Sequence, residues 1–283
     1  MRLSSTSAVR KLAATMRSFH LTFAAVGRHA LFPTERARRA AVRALGRVAG
    51  AWIVLFAIVD DHVHVVVLCE EERVGRLARA IVLALRPVAS AALEPAFVRP
   101  VRDRGHLESL VGYVLTQQAH HGLAEHGALA TGSCYRDLLG ARLVPGLTLR
   151  IGQALPRFRL REACRHVALP EVELCPVTLD VVRAAGAARV VAAASAALAV
   201  APELIGNAAE VVEVRRAAVQ LALTSGIHLA EMAHALGIGV GTARRLAVRE
   251  VAEPVLRAIR LELALEAAVG AAAGLAAPCE PRA

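Results

Sequence analysis

The chain has 283 residues, of which 56% are hydrophobic, so it can form one large folded domain or two smaller ones, and this composition excludes a disordered protein. Its 34 Lys and Arg against 24 Asp and Glu give a formal net charge of +10, which favours an anionic partner such as nucleic acid. The five cysteines contain no C-x-x-C pair, which argues against a zinc ribbon or a disulfide framework. No apolar run reaches about twenty uncharged residues, so we expect a cytoplasmic protein without a membrane-spanning helix or a membrane partner.

The first half of the chain alternates strand-like and helix-like stretches. In chain order, these patterns predict a strand at 19–26, a helix at 33–46, strands at 52–59 and 62–68, a helix at 73–85, a short strand at 97–101 and a helix at 107–123. Asp60 and Asp61 form a short turn signal between two β-rich runs, which predicts an antiparallel hairpin.

The second half of the chain contains no strand signal. Four prolines interrupt short segments between about residues 141 and 180, which is typical of a connector. Beyond it, Ala-rich stretches predict helices at 178–200, 208–224, 229–236, 241–251 and 254–270. The sequence therefore predicts an α+β protein, with an antiparallel sheet and packed helices in 1–140, a connector in 141–176 and an all-helical domain in 177–283.

Two histidines and a tyrosine–glutamine pair are the candidate chemical groups. Because side chains alternate along a strand, His62 and His64 leave the same face, where two neutral imidazoles can bind a divalent metal. Two histidines on a strand face without a metal would give the same pattern. Tyr113 and Gln117 lie one turn apart on the predicted helix 107–123, so both project from one face, and the carboxamide could complete a metal site.

These residues resemble motifs of the HUH endonucleases. His62-Val63-His64 in its apolar strand is similar to their His-hydrophobe-His motif, and Tyr113-Val114-Leu115-Thr116-Gln117 is similar to the nucleophile helix of their single-tyrosine transposases. Residues 133–140, SCYRDLLG, resemble the segment that follows this helix in REP-associated tyrosine transposases. The resemblance spans about residues 17–140 and implies an HUH endonuclease-like antiparallel sheet of the ferredoxin or RRM type.

Two positions depart from the family's usual pattern. Asp60-Asp61 stands where the family commonly has Pro-Asn or Pro-Asp, and Gln117-Gln118 stands where it commonly has Asn-Pro. Glutamine still offers a carbonyl oxygen to a metal. The missing proline removes a helix terminator, so the helix is expected to run on into residues 119–123.

The resemblance implies a metal-dependent enzyme that cleaves single-stranded DNA and transfers the cut strand. His62, His64 and Gln117 would hold Mg²⁺ or Mn²⁺ at the scissile phosphate. Tyr113 would be the nucleophile, giving a covalent 5′-phosphotyrosine and a free 3′ hydroxyl. The implied process is bacterial DNA transposition or REP-element processing.

Basic residues before the tyrosine helix are candidate DNA contacts. We expect phosphate contacts from Arg99, Arg102 and Arg104. His120, His121 and His126 follow the tyrosine and are interpreted as a surface cluster, and Asp61 is interpreted as a turn residue.

Residues 229–246, within the helical stretch 208–251, resemble a helix-turn-helix. Ala233 is the small residue where two helices cross, and Gly237 is the turn. The resemblance implies that this domain binds duplex DNA, while the first domain takes single-stranded or hairpin DNA. An Ala-rich bundle with Gly237 as a helix C-cap is the alternative. The expected DNA contacts in the recognition helix are Thr242, Arg244 and Arg245.

Other functions fit the same residues. A non-catalytic DNA-binding protein or regulator would keep the transposase fold without cleavage, as would a domesticated or decayed copy. A metal-dependent hydrolase would use His62 and His64 with water in place of Tyr113. Monomer and homodimer both fit, and they differ in whether Tyr113 acts with the histidines of its own chain.

Overall fold

The computed structural model describes residues 16–276 apart from Ala124 and Val172, so residues 1–15 and 277–283 of the predicted domains lie outside it. Contacts divide the chain into two compact units. The sheet unit comprises residues up to 122 and 145–159, and the helical unit comprises 123–144 and the residues from 160 onward. The structure is α+β with an antiparallel sheet, which confirms the predicted class. The predicted domain limits at 140 and 176 stay a prediction.

The sheet unit has the element order β-α-β-β-α-β. Its strands are β1 (Met16–Ala24), β2 (Ile53–Ile58), β3 (His62–Glu70) and β4 (Phe97–Pro100). They pair in the order β2-β3-β1-β4, and every pair is antiparallel. The helices in chain order are α1 (Glu35–Ala49), α2 (Glu71–Leu85), α3 (Arg104–Leu115), α4 (Gln117–His120), α5 (Tyr135–Leu139), α6 (Ile151–Ala154), α7 (Leu160–Ala163), α8 (Leu179–Ala197), α9 (Ala209–Thr224), α10 (Leu229–Ala235), α11 (Val240–Ala247) and α12 (Glu253–Ala276).

The two faces of the sheet differ in polarity. Apolar side chains such as Leu21 and Val63 are fully buried on the face that packs against α1 and α2. On the opposite face, Thr22 of β1 pairs with His64 of β3 on one side and with Phe97 of β4 on the other. Helix α3 packs over this second face beside β2, and the β4 end is open, since Phe97 is 54% exposed.

The predicted hairpin between β2 and β3 is confirmed, and backbone hydrogen bonds anchor its turn. The Val59 amide donates to the His62 carbonyl at 3.0 Å, which closes the hairpin. The carbonyl of Asp60 accepts from Leu31 at 2.6 Å, and that of Asp61 accepts from Ala25 at 2.8 Å. These bonds hold the backbone immediately before the two histidines.

The tyrosine helix ends earlier than the sequence predicts. Helix α3 stops at Leu115, α4 continues only to His120, and Gly122 adopts a left-handed backbone with φ +63°. The Gln118 Nε2 group donates to the carbonyl of Ile58 at 3.0 Å. Because this side chain ties the helix end to β2, the chain turns away from the helix without the family's proline.

The helical unit is built from α5 and α7–α12, and its described part contains no strand, as predicted. Alanine and valine dominate its core. These small side chains let α8 pack closely against α9 and α12. Within α8, Gly186 has φ +78° and interrupts the helical backbone. No helix in the described part of the chain is long and apolar enough to cross a membrane.

Residues 123–144 are held inside the helical unit by buried polar contacts. Arg142 ion-pairs with Asp137 and donates to the carbonyls of Thr131 and Ser133, each at 2.7 Å. Arg136 Nη2 lies 2.7 Å from Glu262 Oε1 of α12, and both side chains are buried. The segment that resembles the REP-associated transposases therefore packs as part of the core of this unit.

Candidate metal and nucleophile site

A cleft of about 470 Å³ opens on the polar face of the sheet, within the sheet unit. We call it the histidine cleft. Strands β1 and β3 supply its floor, and helices α3 and α4 supply one wall. The residues central to its chemistry are His20, His62, His64, Tyr113, Gln117 and His121.

The two histidines of β3 converge at the centre of the cleft. The Nε2 atoms of His62 and His64 lie 2.8 Å apart, and both side chains are buried. Two nitrogens that bind one ion at about 2.1 Å and a right angle would lie about 3.0 Å apart. The spacing therefore fits two ligands of a single divalent ion.

The outer nitrogen of each histidine has a partner of its own. His62 Nδ1 lies 2.6 Å from Asp61 Oδ1, and the other oxygen of that carboxylate accepts from Arg28 Nη1 at 3.0 Å. His64 Nδ1 lies 3.1 Å from His20 Nε2. When Nδ1 carries the proton and donates outward, Nε2 presents its lone pair to the centre, as a metal ligand must.

The charge states suit a metal centre. Burial, followed by the neighbouring His62 and His20, lowers the pKa of His64 to about 3. Burial, followed by His106 and Arg99, lowers the pKa of His20 to about 4. Both rings are therefore neutral at neutral pH, which metal binding requires. Although partial burial opposes it, hydrogen bonds from His62 and Arg28 hold the pKa of Asp61 below its ordinary value.

Helix α3 brings the tyrosine and the glutamine to this centre. The hydroxyl of Tyr113 lies 3.4 Å from His64 Nε2, and the side chain is 46% exposed, so a substrate can reach it. Gln117 is buried, and its Nε2 donates to the Tyr113 carbonyl at 3.1 Å. With that nitrogen bonded to the helix, Oε1 is the atom that remains for a metal, and the side chain lines the cleft together with His64. The predicted set of His62, His64, Tyr113 and Gln117 thus meets in one place.

His121 adds a further possible ligand next to the predicted set. Ligand atoms of Asp61, His62 and His121 all lie within 4.8 Å of one another. The His121 ring stacks edge-on against His62 with centroids 4.9 Å apart, while His120 is exposed on the wall of the cleft and His126 belongs to the helical unit. His121 is therefore better described as part of the cleft than as one of a surface cluster.

Of the three arginines predicted to contact DNA in the first domain, one lies in the histidine cleft and two lie outside it. Arg99 lines the histidine cleft, whereas Arg102 and Arg104 are exposed outside it. The Nε group of Arg104 donates to Glu108 at 2.7 Å, which neutralises part of its charge.

The recognition-helix candidates lie on α11 in the helical unit. Arg244 and Arg245 are exposed, and Arg245 Nη2 donates to the hydroxyl of Thr242 at 3.0 Å. The preceding turn is the one predicted, because Gly237 has φ +63° and the Ile238 amide donates to the carbonyl of Ala233 at 3.0 Å.

Several residues in or beside the cleft were not predicted as site residues, among them His20, Arg28, Asp61, Phe97 and His121. The alternation in residues 19–23, FHLTF, contains the signal for His20, because it sets His20 and Thr22 on the face opposite three apolar residues. Only the pairing register, however, brings that face of β1 next to His64.

Comparisons of the chain with family models, curated proteins and solved structures found no match.

Proposed function

We propose that the sheet unit is a metal-dependent endonuclease and strand transferase of the HUH single-tyrosine type, acting on single-stranded or hairpin DNA in the cytoplasm. The observation that carries the proposal is the position of the Tyr113 hydroxyl, 3.4 Å from His64 Nε2 in a cleft open to solvent. The element order and strand order also agree with the ferredoxin-like sheet that the resemblance implies.

A divalent ion fits the donor set, which combines two imidazole nitrogens and one amide oxygen. His62, His64 and Gln117 would hold it, with Asp61 and His20 orienting the two rings. Mg²⁺ or Mn²⁺ bound there would stabilise charge on the non-bridging oxygens of the scissile phosphate. Imidazole nitrogens favour Mn²⁺ over Mg²⁺, so Mn²⁺ is the metal of choice for assays.

Tyr113 supplies the nucleophile in the proposed reaction. Its oxygen forms a bond to phosphorus while the bond between phosphorus and the 3′ oxygen breaks. The phenol proton leaves to water in the open cleft, and the 3′ oxygen takes up a proton. Because one phosphodiester bond is exchanged for another, strand transfer is the reverse step with a different 3′ hydroxyl and needs no ATP.

The helical unit is proposed to bind duplex DNA through α11. The support is the left-handed turn at Gly237 followed by a helix that exposes two arginines, Arg244 and Arg245. A substrate with both a single-stranded part and a duplex part is consistent with this division of work.

Strand labelling tests the covalent step. DNA hairpins from the flanks of the gene, labelled at either end, are incubated with the protein and Mn²⁺ and separated in SDS. A 5′-phosphotyrosine keeps the 3′ part of the strand, so the 3′ label should move with the protein and the 5′ label should appear on a shorter fragment ending in a 3′ hydroxyl.

The chain contains only two tyrosines, which provides a matched control. Tyr113→Phe should abolish both products, with DNA binding within about threefold of the unmodified protein because no charge is lost. Tyr135→Phe, which removes the buried hydroxyl beside Cys164, should keep both products. Metal-dependent cleavage without an adduct would instead identify a hydrolase, and binding without cleavage would identify a non-catalytic DNA-binding protein.

A further inference from the structure

An exposed aromatic ring lines the rim of the histidine cleft. Phe97 lies on the edge strand β4, lines the cleft and is 54% exposed. Burial of an aromatic ring is strongly favourable, so an exposed ring at the rim of a cleft is available to a ligand.

The register places this ring in line with the metal-site histidine. Thr22 pairs with both His64 and Phe97, so these three residues form one row across β3, β1 and β4 on the same face of the sheet. Neighbouring strands lie about 4.8 Å apart, which puts the Cα atoms of Phe97 and His64 about 10 Å from each other. The ring therefore stands within reach of a nucleotide next to the phosphate that the proposed function places at His64.

The surroundings of the ring are basic. The guanidinium of Arg99 lies over the Phe97 ring, with its Cζ 4.8 Å from the ring centroid. Arg28 is a second arginine among the described residues that line the cleft, and it forms an ion pair with Asp61 beside His62. An aromatic face next to arginine is the combination that binds unpaired nucleotides by stacking the base and contacting the phosphate.

We propose that Phe97 is the stacking platform for one unpaired base of the DNA strand, next to the scissile phosphate, and that Arg99 contacts the phosphate of the same nucleotide. This subsite rests on the proposed function, which identifies the bound strand as the DNA strand that is cut. It would hold the nucleotide beside the cut in a fixed position, so that Tyr113 meets one particular phosphate.

Binding to two strands of equal charge tests the stacking. Full-length Tyr113→Phe protein, which does not cleave, is titrated with fluorescently labelled dT12 and with an abasic strand of the same length. Base stacking on an aromatic ring contributes about five- to a hundredfold in affinity. Adding Phe97→Ala should weaken dT12 binding by that factor and leave the abasic strand unchanged, whereas Phe97→Trp should keep the preference for dT12.

Leu83→Ala is the matched control, because Leu83 is 53% exposed on α2 and lies outside the cleft. It should change neither affinity. As a second measurement, a strand that contains 5-iodouracil should photocrosslink to Phe97, as located by mass spectrometry.

Equal weakening of both strands by Phe97→Ala, or no weakening of either, would overturn the subsite. Its failure is separable from that of the proposed function. A covalent adduct without any base preference contradicts the subsite alone, and a Phe97-dependent base preference without an adduct contradicts the nuclease alone.

Discussion

Asp61 joins a surface arginine to the centre of the histidine cleft. Its carboxylate accepts from Arg28 on one side and contacts His62 Nδ1 on the other. An ionised carboxylate at this position can only accept, so it selects the tautomer of His62 whose Nε2 is free for a metal. A residue that belongs to a turn thereby determines which nitrogen of His62 faces the centre of the cleft.

Asp61→Asn is expected to weaken Mn²⁺ binding by about ten- to a hundredfold, because the amide can donate to Nδ1 and favour the wrong tautomer. Isothermal titration at one fixed pH measures the affinity. Asp60→Asn changes the neighbouring carboxylate of the same turn and should leave the affinity unchanged. Equal affinities for both variants would show that Asp61 has no role in orienting His62.

The neutral histidines predict a loss of stability in acid. The pKa values of His64 and His20 are about 3 and about 4 in the folded protein, against an ordinary 6.5. Between these limits the unfolded chain binds more protons than the folded one, so the free energy of unfolding falls as the pH drops from about 6.5 toward 4.

Replacing both rings by glutamine, as in His20→Gln with His64→Gln, should make that decline shallower. Urea denaturation of the metal-free protein between pH 7 and pH 4.5 measures it. Leu83→Ala changes an exposed residue outside the cleft without altering any titratable group, so it serves as the control and should keep the slope of the unmodified protein. A double variant with an unchanged slope would mean that the acid sensitivity has another source.

At the scale of elements, the turn before α11 requires Gly237 because of its backbone conformation and not because space is lacking for a side chain. Gly237 has φ +63°, and a Cβ added there would meet no atom within 4 Å. The expected effect of a side chain is therefore the conformational strain of a left-handed residue and nothing else.

Gly237→Ala should lower the free energy of unfolding by about 1 kcal/mol, which reflects that strain. Gly241→Ala, four residues later inside α11, also meets open space, and it should raise stability by about 0.5–1 kcal/mol because alanine favours a helix. Chemical denaturation measures both. A Gly237→Ala variant as stable as the unmodified protein would contradict the turn geometry.

The elements of the sheet were predictable because each is encoded locally. The alternation in 62–68 sets both histidines on one face, and the Asp60-Asp61 turn predicts the hairpin. The contacts of His20 and Phe97 were not predictable, because they depend on which strands become neighbours. The end of the tyrosine helix at His120 likewise depends on a contact between Gln118 and β2.

At the scale of the whole molecule, duplex binding should depend on α11. Arg244→Ala and Arg245→Ala should each reduce the slope of log affinity against log salt by about one unit if they contact phosphate. If they contact a base, the loss should be about 1–3 kcal/mol. Arg257→Ala on α12 removes the same charge from another helix and should leave the slope unchanged.

Binding isotherms on duplex DNA over a salt series provide the measurement. If neither α11 variant changes the salt slope, the helical unit is better explained as an Ala-rich bundle than as a DNA-binding domain. Substitutions are preferable to a deletion after residue 176, because such a deletion would cut the helical unit and remove Glu262 from Arg136.

Which residues belong to which of the two units was the least predictable feature of the chain. Prolines mark 141–176 as a connector, yet residues 145–159 pack within the sheet unit and 160–176 within the helical unit. The Arg150 amide, for example, donates to the carbonyl of Ile53 at 2.7 Å. Such contacts link positions about a hundred residues apart, and no local pattern encodes them.

Because the two units alternate along the chain, their segments leave the ribosome in an order that separates residues 123–144 from the rest of the helical unit. The sheet unit is complete when residue 159 has left the ribosome, but 123–144 has emerged by then without the helices that pack around it. At typical bacterial and eukaryotic synthesis rates, Arg136 waits on the order of ten seconds for Glu262 to be translated. Until then, residues 123–144 would lack the helices that pack around them, and a chaperone would encounter this segment uncovered.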